Sequence, residues 1–286
     1  MKTTLMAYLL LLPGVGAIVL FMIAVLGMAV SQSVGFFNFA GESGFSLRFW
    51  QTMLADEQLW RSFFYSARIA TLSALLSVAV AYPLAIWLRK PFPGSDLLQA
   101  LLKAPLLVHG LTAAFLFVNF IAYQGFLNLA LVRLGIESRP VRLQNDPYGI
   151  GVVILQVWKQ MPFALLLMSG AVRAVGDTLL EAARNLGAGT WARFHRVVLP
   201  LTLRALQTAL VLIFIGAAGD FSFQSVAGPV SVNSMAQFML RVQQSGAEGW
   251  NQAAVVAVML MALSLLGAGV LAACAGVLVR RSGRGR

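Results

Sequence analysis

Six apolar runs, each about 20 residues long, divide this chain: 7–30, 64–88, 105–123, 150–172, 205–223 and 253–279. A run of that length crosses a bilayer as a helix, because lipid offers no partner to an open backbone N–H or C=O. Little is left between the runs. Charged residues make up only 11% of the chain, against about 25% in soluble domains, so there is no room for a separate soluble domain. The expected fold is all-α, integral to the membrane, with six transmembrane helices in a single domain over residues 1–286. A first span and an external connection fill about 1–60, and core spans fill about 61–280.

The net charge of +11 is distributed unevenly. With the N-terminus placed in the cytoplasm, that side holds Lys2, Arg89, Lys90, Lys103, Arg173, Arg184, Arg193, Arg196, Arg204, Arg280, Arg281, Arg284 and Arg286. The opposite side holds Arg48, Arg61, Arg133, Arg139, Arg142 and Arg241. The excess of positive charge inside puts both termini in the cytoplasm. The charge is therefore a topology signal that also suits anionic lipid headgroups, and no nucleic-acid partner is expected. The first run exceeds the apolar core of a usual signal peptide, so it reads as a retained span.

Several chemistries have no residues to support them. Cys274 is the only cysteine, which excludes a disulfide framework and a thiolate metal site. His109 and His195 have no companions at metal-ligand spacing and read as polar contacts. There is no G-x-x-x-x-G-K-[ST] segment, so the chain is not expected to hydrolyse nucleotide through a P-loop. No catalytic set of residues is expected, no metal site, and no cofactor in this chain.

Within the spans, Ala67, Ala70, Ser73, Ala74 and Ser77 of the second run allow close helix approach. Residues 46–66 read as an interfacial helix. A short helix along the surface is expected after the third run, with Leu127, Ala130, Leu131 and Leu134 on one face. Gln156, Lys159, Gln160 and Pro162 cluster in the fourth run, and Asp220 and Ser222 fall in the fifth. Lys159 and Asp220 each cost about 2.5–3.5 kcal/mol at a span centre. Either they line a translocation path with Gln156, Gln160 and Ser222, or they pair with one another or snorkel and serve packing only. Pro162, Gly216 and Gly219 are positions where a helix could be interrupted.

Between the fourth and fifth runs lies EAARNLGAGTWARFHRVVLP, residues 181–200. Asp177 is a candidate N-cap for a helix through TLLEAARNL, which Gly187 can end in the left-handed conformation. Leu179, Ala182, Ala183 and Leu186 share one face, and Glu181 and Arg184 can pair along another. Thr190 can cap a second helix, which Pro200 bends or ends. Such a helix either docks in a groove of another protein, through its small side chains, or lies at the interface with Arg193 and Arg196 on lipid.

The spacing of Glu181-Ala182-Ala183, Gly187, Val197 and Leu199-Pro200 resembles the EAA loop of binding-protein-dependent ABC importer permeases. The family pattern is E-A-A, three residues, G, nine residues, I, one residue and L-P, with valine here in place of isoleucine. The segments LPLTLRALQTALVLIFIGAAGDFSF, YPLAIWLRK and the AGP at 227–229 are similar to the family's following span, second span end and external loop. The resemblance implies a MetI-like permease in the bacterial inner membrane, one half of a transmembrane dimer with a second permease subunit that is a different chain. It implies that the loop at 177–200 docks on a cytoplasmic ATP-binding subunit dimer, with Glu181, Ala182, Ala183, Arg184, Gly187, Val197, Leu199 and Pro200 as the coupling residues. ATP and Mg would then sit in that partner, and a periplasmic solute-binding protein would deliver solute to the outer connections near 31–63 and 224–251. The short N-terminus and the GDF segment followed by a Gly-Pro loop look most like the spermidine/putrescine-type branch, whose members carry polyamines but also iron(III), thiamine, sulfate and phosphonates. The resemblance thus implies a small solute, polyamine-like if Asp220 attracts a cation and anionic if Lys159 attracts an anion. The alternative is an ATP-independent secondary transporter or channel, which usually shows inverted repeats; none is evident.

Overall fold

A computed structural model of the protein describes residues 2–39, 41–136, 139 and 146–283. Arg142, Arg284 and Arg286, counted above in the charge asymmetry, lie outside the described residues. No strand occurs among the described residues, and six helical stretches are long and apolar enough to cross a membrane. The chain forms two compact units, Met1–Trp60 with Phe238–Met261 and Arg61–Gln237 with Ala262–Arg286.

In the first unit, α1 (Lys2–Ser33) carries the first span, and residues 12–28 are all exposed. Over 12–28 the helix is apolar all round and has no buried face, which suits it to lipid or to a neighbouring helix. The turn after it is held by the fully buried Asn251, whose Nδ2 donates to the carbonyls of Gln32 at 2.8 Å and Phe36 at 3.2 Å. The helix expected over residues 46–66 is interrupted. α2 (Arg48–Ala55) stops at Asp56, whose Oδ1 accepts the Gln58 N–H at 2.8 Å and starts α3 (Glu57–Trp87). The carboxylate is a better partner for the open N–H groups of a new helix than continuation of the old one.

The second unit is built around α3. Ser66, Ala70, Ser73, Ala74, Ser77, Ala81 and Ala85 are buried along one stripe of this helix. Between lipid-embedded helices there is little hydrophobic drive, so close approach through small residues carries the packing. α4 (Ser95–Lys103) leads into a 3₁₀ turn at Ala104–Leu107 with Pro105 at its start. The third span begins only after this break. α5 (Gly110–Ile121) turns at Gly125 into α6 (Phe126–Arg133), and together they give the apolar stretch Gly110–Arg133. The short helix expected after the third run is α6, and the turn that sets it off from α5 is closed by the Gly125 N–H and Asn128 Nδ2, which both donate to the Ala122 carbonyl at 2.8 Å. Leu127, Ala130 and Leu131 are half-buried, whereas Leu134 lies beyond the helix and is exposed.

α7 (Ile150–Ala174) runs uninterrupted through Pro162. Its first N–H groups, those of Ile150 and Gly151, bond to the Asp146 carboxylate at 2.6 and 2.9 Å. Gly149 before it has φ +70, and a Cβ there would meet the Tyr65 hydroxyl at 2.7 Å. After α8 (Asp177–Asn185) and α9 (Thr190–Arg193), a π-helical turn at Phe194–Val198 leads directly into α10 (Leu199–Ala218). Pro200 therefore neither ends nor sharply divides the helix. It lacks an N–H and crowds the carbonyl four residues back, and the wider π turn just before it absorbs that conflict. α11 (Ser222–Ala227), α12 (Met235–Gln243) and α13 (Gly249–Gly283) complete the chain. In this unit the Gln207 side chain bonds the Ala272 carbonyl at 3.0 Å, and Gly267 faces the Phe214 ring so closely that a Cβ would overlap it.

Candidate functional site

The segment at 177–200 forms the helix that its sequence suggests, but with different caps. Asp177 is the first residue of α8 and does not cap it; Gly176 holds the N-cap position. The Asp177 carboxylate turns instead to Arg89, just beyond α3, at 3.1 Å. The same guanidinium donates to the Val175 carbonyl. A long-range arginine competes successfully with local capping because it brings a full charge as well as a donor. Thr190 likewise opens α9 without capping it, behind Gly189.

The end of α8 follows expectation. Gly187 has φ +81, the Ala188 N–H donates to the Ala183 carbonyl at 3.0 Å, and the Gly187 N–H donates to the Arg184 carbonyl at 2.9 Å. These are the two bonds of a Schellman cap. No residue of α8 is buried. Ala183 is half-buried, while Leu179, Glu181, Ala182, Arg184 and Leu186 are exposed. Leu186 is 89% exposed and Trp191, just after the turn, 74%. A short helix with exposed leucines, small residues and a neighbouring exposed indole presents a surface that is incomplete by itself. Trp191 is not singled out by sequence; its ring lies 4.0 Å from that of His195, one helical turn on. Val197, Leu199 and Pro200 are half-buried where the π turn meets α10.

The polar residues of the fourth and fifth runs lie at two helix breaks. Lys159 Nζ donates to the carbonyls of Pro105 at 2.7 Å, Leu106 at 3.4 Å and Val108. It thus binds the carbonyl end of the 3₁₀ turn before α5, where a cation is favourable. Asp220 is not inside a span. α10 ends at Ala218, Gly219 caps it, and Asp220 stands before α11, where its Oδ2 accepts the Phe223 N–H at 3.0 Å. The apolar residues on either side hide this break. Burial pushes the Asp220 carboxyl up to about 6, against the opposing pull of the N–H groups of Phe223, Gln224 and Ser222 and of the Gln156 side chain. Lys159 and Asp220 therefore each find partners other than one another.

Ser222 opens α11 beside Gly110, the first residue of α5; a Cβ on Gly110 would lie 3.7 Å from that of Ser222. Two helix starts are thereby placed side by side, next to α7. Gln156 is 1% exposed, and its Oε1 has no hydrogen-bond partner. Gln160, one turn further on, reaches α10 near Gly216, with its Nε2 3.5 Å from where a Cβ would stand. Gln224 is buried and accepts the Tyr65 hydroxyl at 2.9 Å. A carboxylate, three amides and two hydroxyls around two interrupted helices form a polar region between otherwise apolar elements. Tyr65, Ile69, Ala113, Ala114, Val152, Leu155 and Phe223 enclose part of it in a common core cluster.

Comparison with known proteins supplies the context for this geometry. The family described as binding-protein-dependent transport system inner membrane component matches residues 77–281. The spermidine/putrescine transport system permease protein PotB of Haemophilus influenzae is 34% identical over 180 residues, which are 63% of this chain and 61% of that protein. The chain thus spans less than two thirds of that relative. PotB of Escherichia coli is 28% identical over 219 residues, 75% of this chain and 78% of that protein. Among solved structures, a bacterial ABC transporter involved in the import of the acidic polysaccharide alginate aligns with TM-score 0.76 at 19% identity, covering 98% of this chain and 96% of the other.

Proposed function

Because the chain belongs to the binding-protein-dependent transport system inner membrane components, we propose that it is the permease subunit of an ATP-binding-cassette importer and that α8 is its coupling helix. The observation that carries the second half of this reading is the exposure of α8. Its sequence keeps the EAA spacing at Glu181, Ala182, Ala183 and Gly187, and none of its residues is buried. The occupant of that surface is a cytoplasmic ATP-binding subunit dimer, which holds ATP and Mg. Closure of the dimer displaces α8, and the displacement switches the permease between outward and inward access. In this reading both termini are cytoplasmic, as the arginine asymmetry favours. A second, different permease chain completes the pathway, and a periplasmic solute-binding protein delivers solute to the outer connections.

The solute is read as polyamine-like on the strength of the PotB relatives. The polar region at the two helix breaks is the candidate passage. Within it, Gln160 and Ser222 are only half-buried and face a passing solute, and Gln156 lies beneath them with an unpartnered Oε1, while Lys159 is engaged with backbone carbonyls and Asp220 with backbone N–H groups and the Gln156 side chain. Glu181→Lys tests the coupling assignment: association with the ATPase and solute uptake should both fall while all six spans remain inserted. Unchanged association and uptake in that variant would remove α8 from the role.

A further inference from the structure

α8 is joined to its neighbours in sequence through glycines, Gly176 on one side and Gly187 and Gly189 on the other. A helix with no buried residue and glycine at both ends would yield locally when displaced, passing little movement to the spans. Arg89 opposes that yielding. Its side chain is only 14% exposed, while that of Asp177 is 68% exposed. The guanidinium bonds both the carbonyl of buried Val175 and the Asp177 carboxylate, and so spans the Gly176 joint. Its planar fork is suited to two acceptors held in fixed directions. The chain beneath it is anchored, since Ala85 and Leu88 are buried and the Tyr82 hydroxyl lies 2.6 Å from Thr202 Oγ1.

We propose that Arg89 is a positioning residue that makes α8 and the adjacent end of α3 move as one body. The proposal rests on α8 being the coupling helix. A displacement imposed on α8 then enters α3 as well as the spans that flank α8 in sequence. α3 is a single helix past Tyr65, where the bond to Gln224 joins it to α11 at the polar region. The YPLAIWLRK segment at 82–90 thus acquires a role: its tyrosine and its arginine fasten the end of α3 at two points.

The test uses the intact complex with its ATPase subunits, on a Cys274→Ala background, with spin labels at Lys90→Cys and Asn185→Cys. Neither labelled position is buried. Distance distributions are compared in nucleotide-free and ATP–vanadate states. With Arg89 present the separation should agree between the two states to within about 2 Å, the scale of ordinary helix shifts. In Arg89→Ala and in Asp177→Asn it should become nucleotide-dependent, and Asp177→Glu should restore the wild-type behaviour. Asp177 is exposed, so its variants report even where Arg89→Ala fails to fold. A separation that changes with nucleotide despite Arg89, or that stays fixed in the variants, overturns the proposal. Failure of the coupling-helix reading itself is seen separately, as undiminished ATPase association of the Glu181→Lys chain.

Discussion

The Tyr65 hydroxyl donates to Gln224 Oε1 at 2.9 Å, joining α3 to α11 inside the protein. Tyr65→Phe keeps the ring but leaves a buried amide oxygen without its donor, which costs about 1 kcal/mol. The purified permease should melt at a lower temperature in detergent. Gln224→Leu should cost less in the Tyr65→Phe background than alone, and strictly additive losses would show that the two groups do not interact.

Lys159 separates two roles that sequence leaves open. If it serves as a clasp on the carbonyls of Pro105, Leu106 and Val108, Lys159→Met should lower folding yield and thermal stability, because three carbonyls lose a charged donor. If instead it contacts solute, the variant should fold normally and change only the concentration dependence of uptake. The geometry favours the first result.

Gly187→Ala addresses the end of α8. At φ +81 an alanine is strained by about 1–2 kcal/mol, although the site is open, with no atom within 4 Å of where its Cβ would stand. The spans should insert as before, while ATPase association weakens through misdirection of Leu186 and Trp191. A pull-down measures this directly.

Asp220 gives a pH dependence of definite sign. Its carboxyl is raised from 3.8 to about 6 in the folded chain, so between those values the folded state binds the proton more tightly than the unfolded state. Stability should therefore fall as pH rises from about 4 to about 6 and level off above. Asp220→Asn should flatten that slope, and melting curves across the range in detergent would show it.

The spans, the buried small-residue stripe of α3 and the glycine-ended α8 are legible in the sequence, because each follows from local periodicity or from one residue's conformational freedom. Asp220 is misplaced by sequence because the apolar residues of GAAGDFSF run on past the helix end, and composition does not register where a helix stops. The third span is run back to Pro105 for the same reason. Local rules expect Asp177 and Thr190 to cap their helices. The first is drawn to Arg89, a partner distant in sequence and invisible to such rules, and the second finds Gly189 already in the cap position. The Lys159 contacts depend on the 3₁₀ turn at Ala104–Leu107, which only the folded chain brings beside α7.

On the coupling-helix reading, α8 receives the ATPase. A cysteine at Ala182, on a Cys274→Ala background, offers the most direct measurement, by cross-linking to the ATPase subunits in membranes. A cross-linked permease–ATPase product should form and be lost when Glu181→Lys is added, with the permease still inserted. Absence of the product in the otherwise functional complex, or its persistence together with full uptake in the Glu181→Lys chain, would contradict that reading.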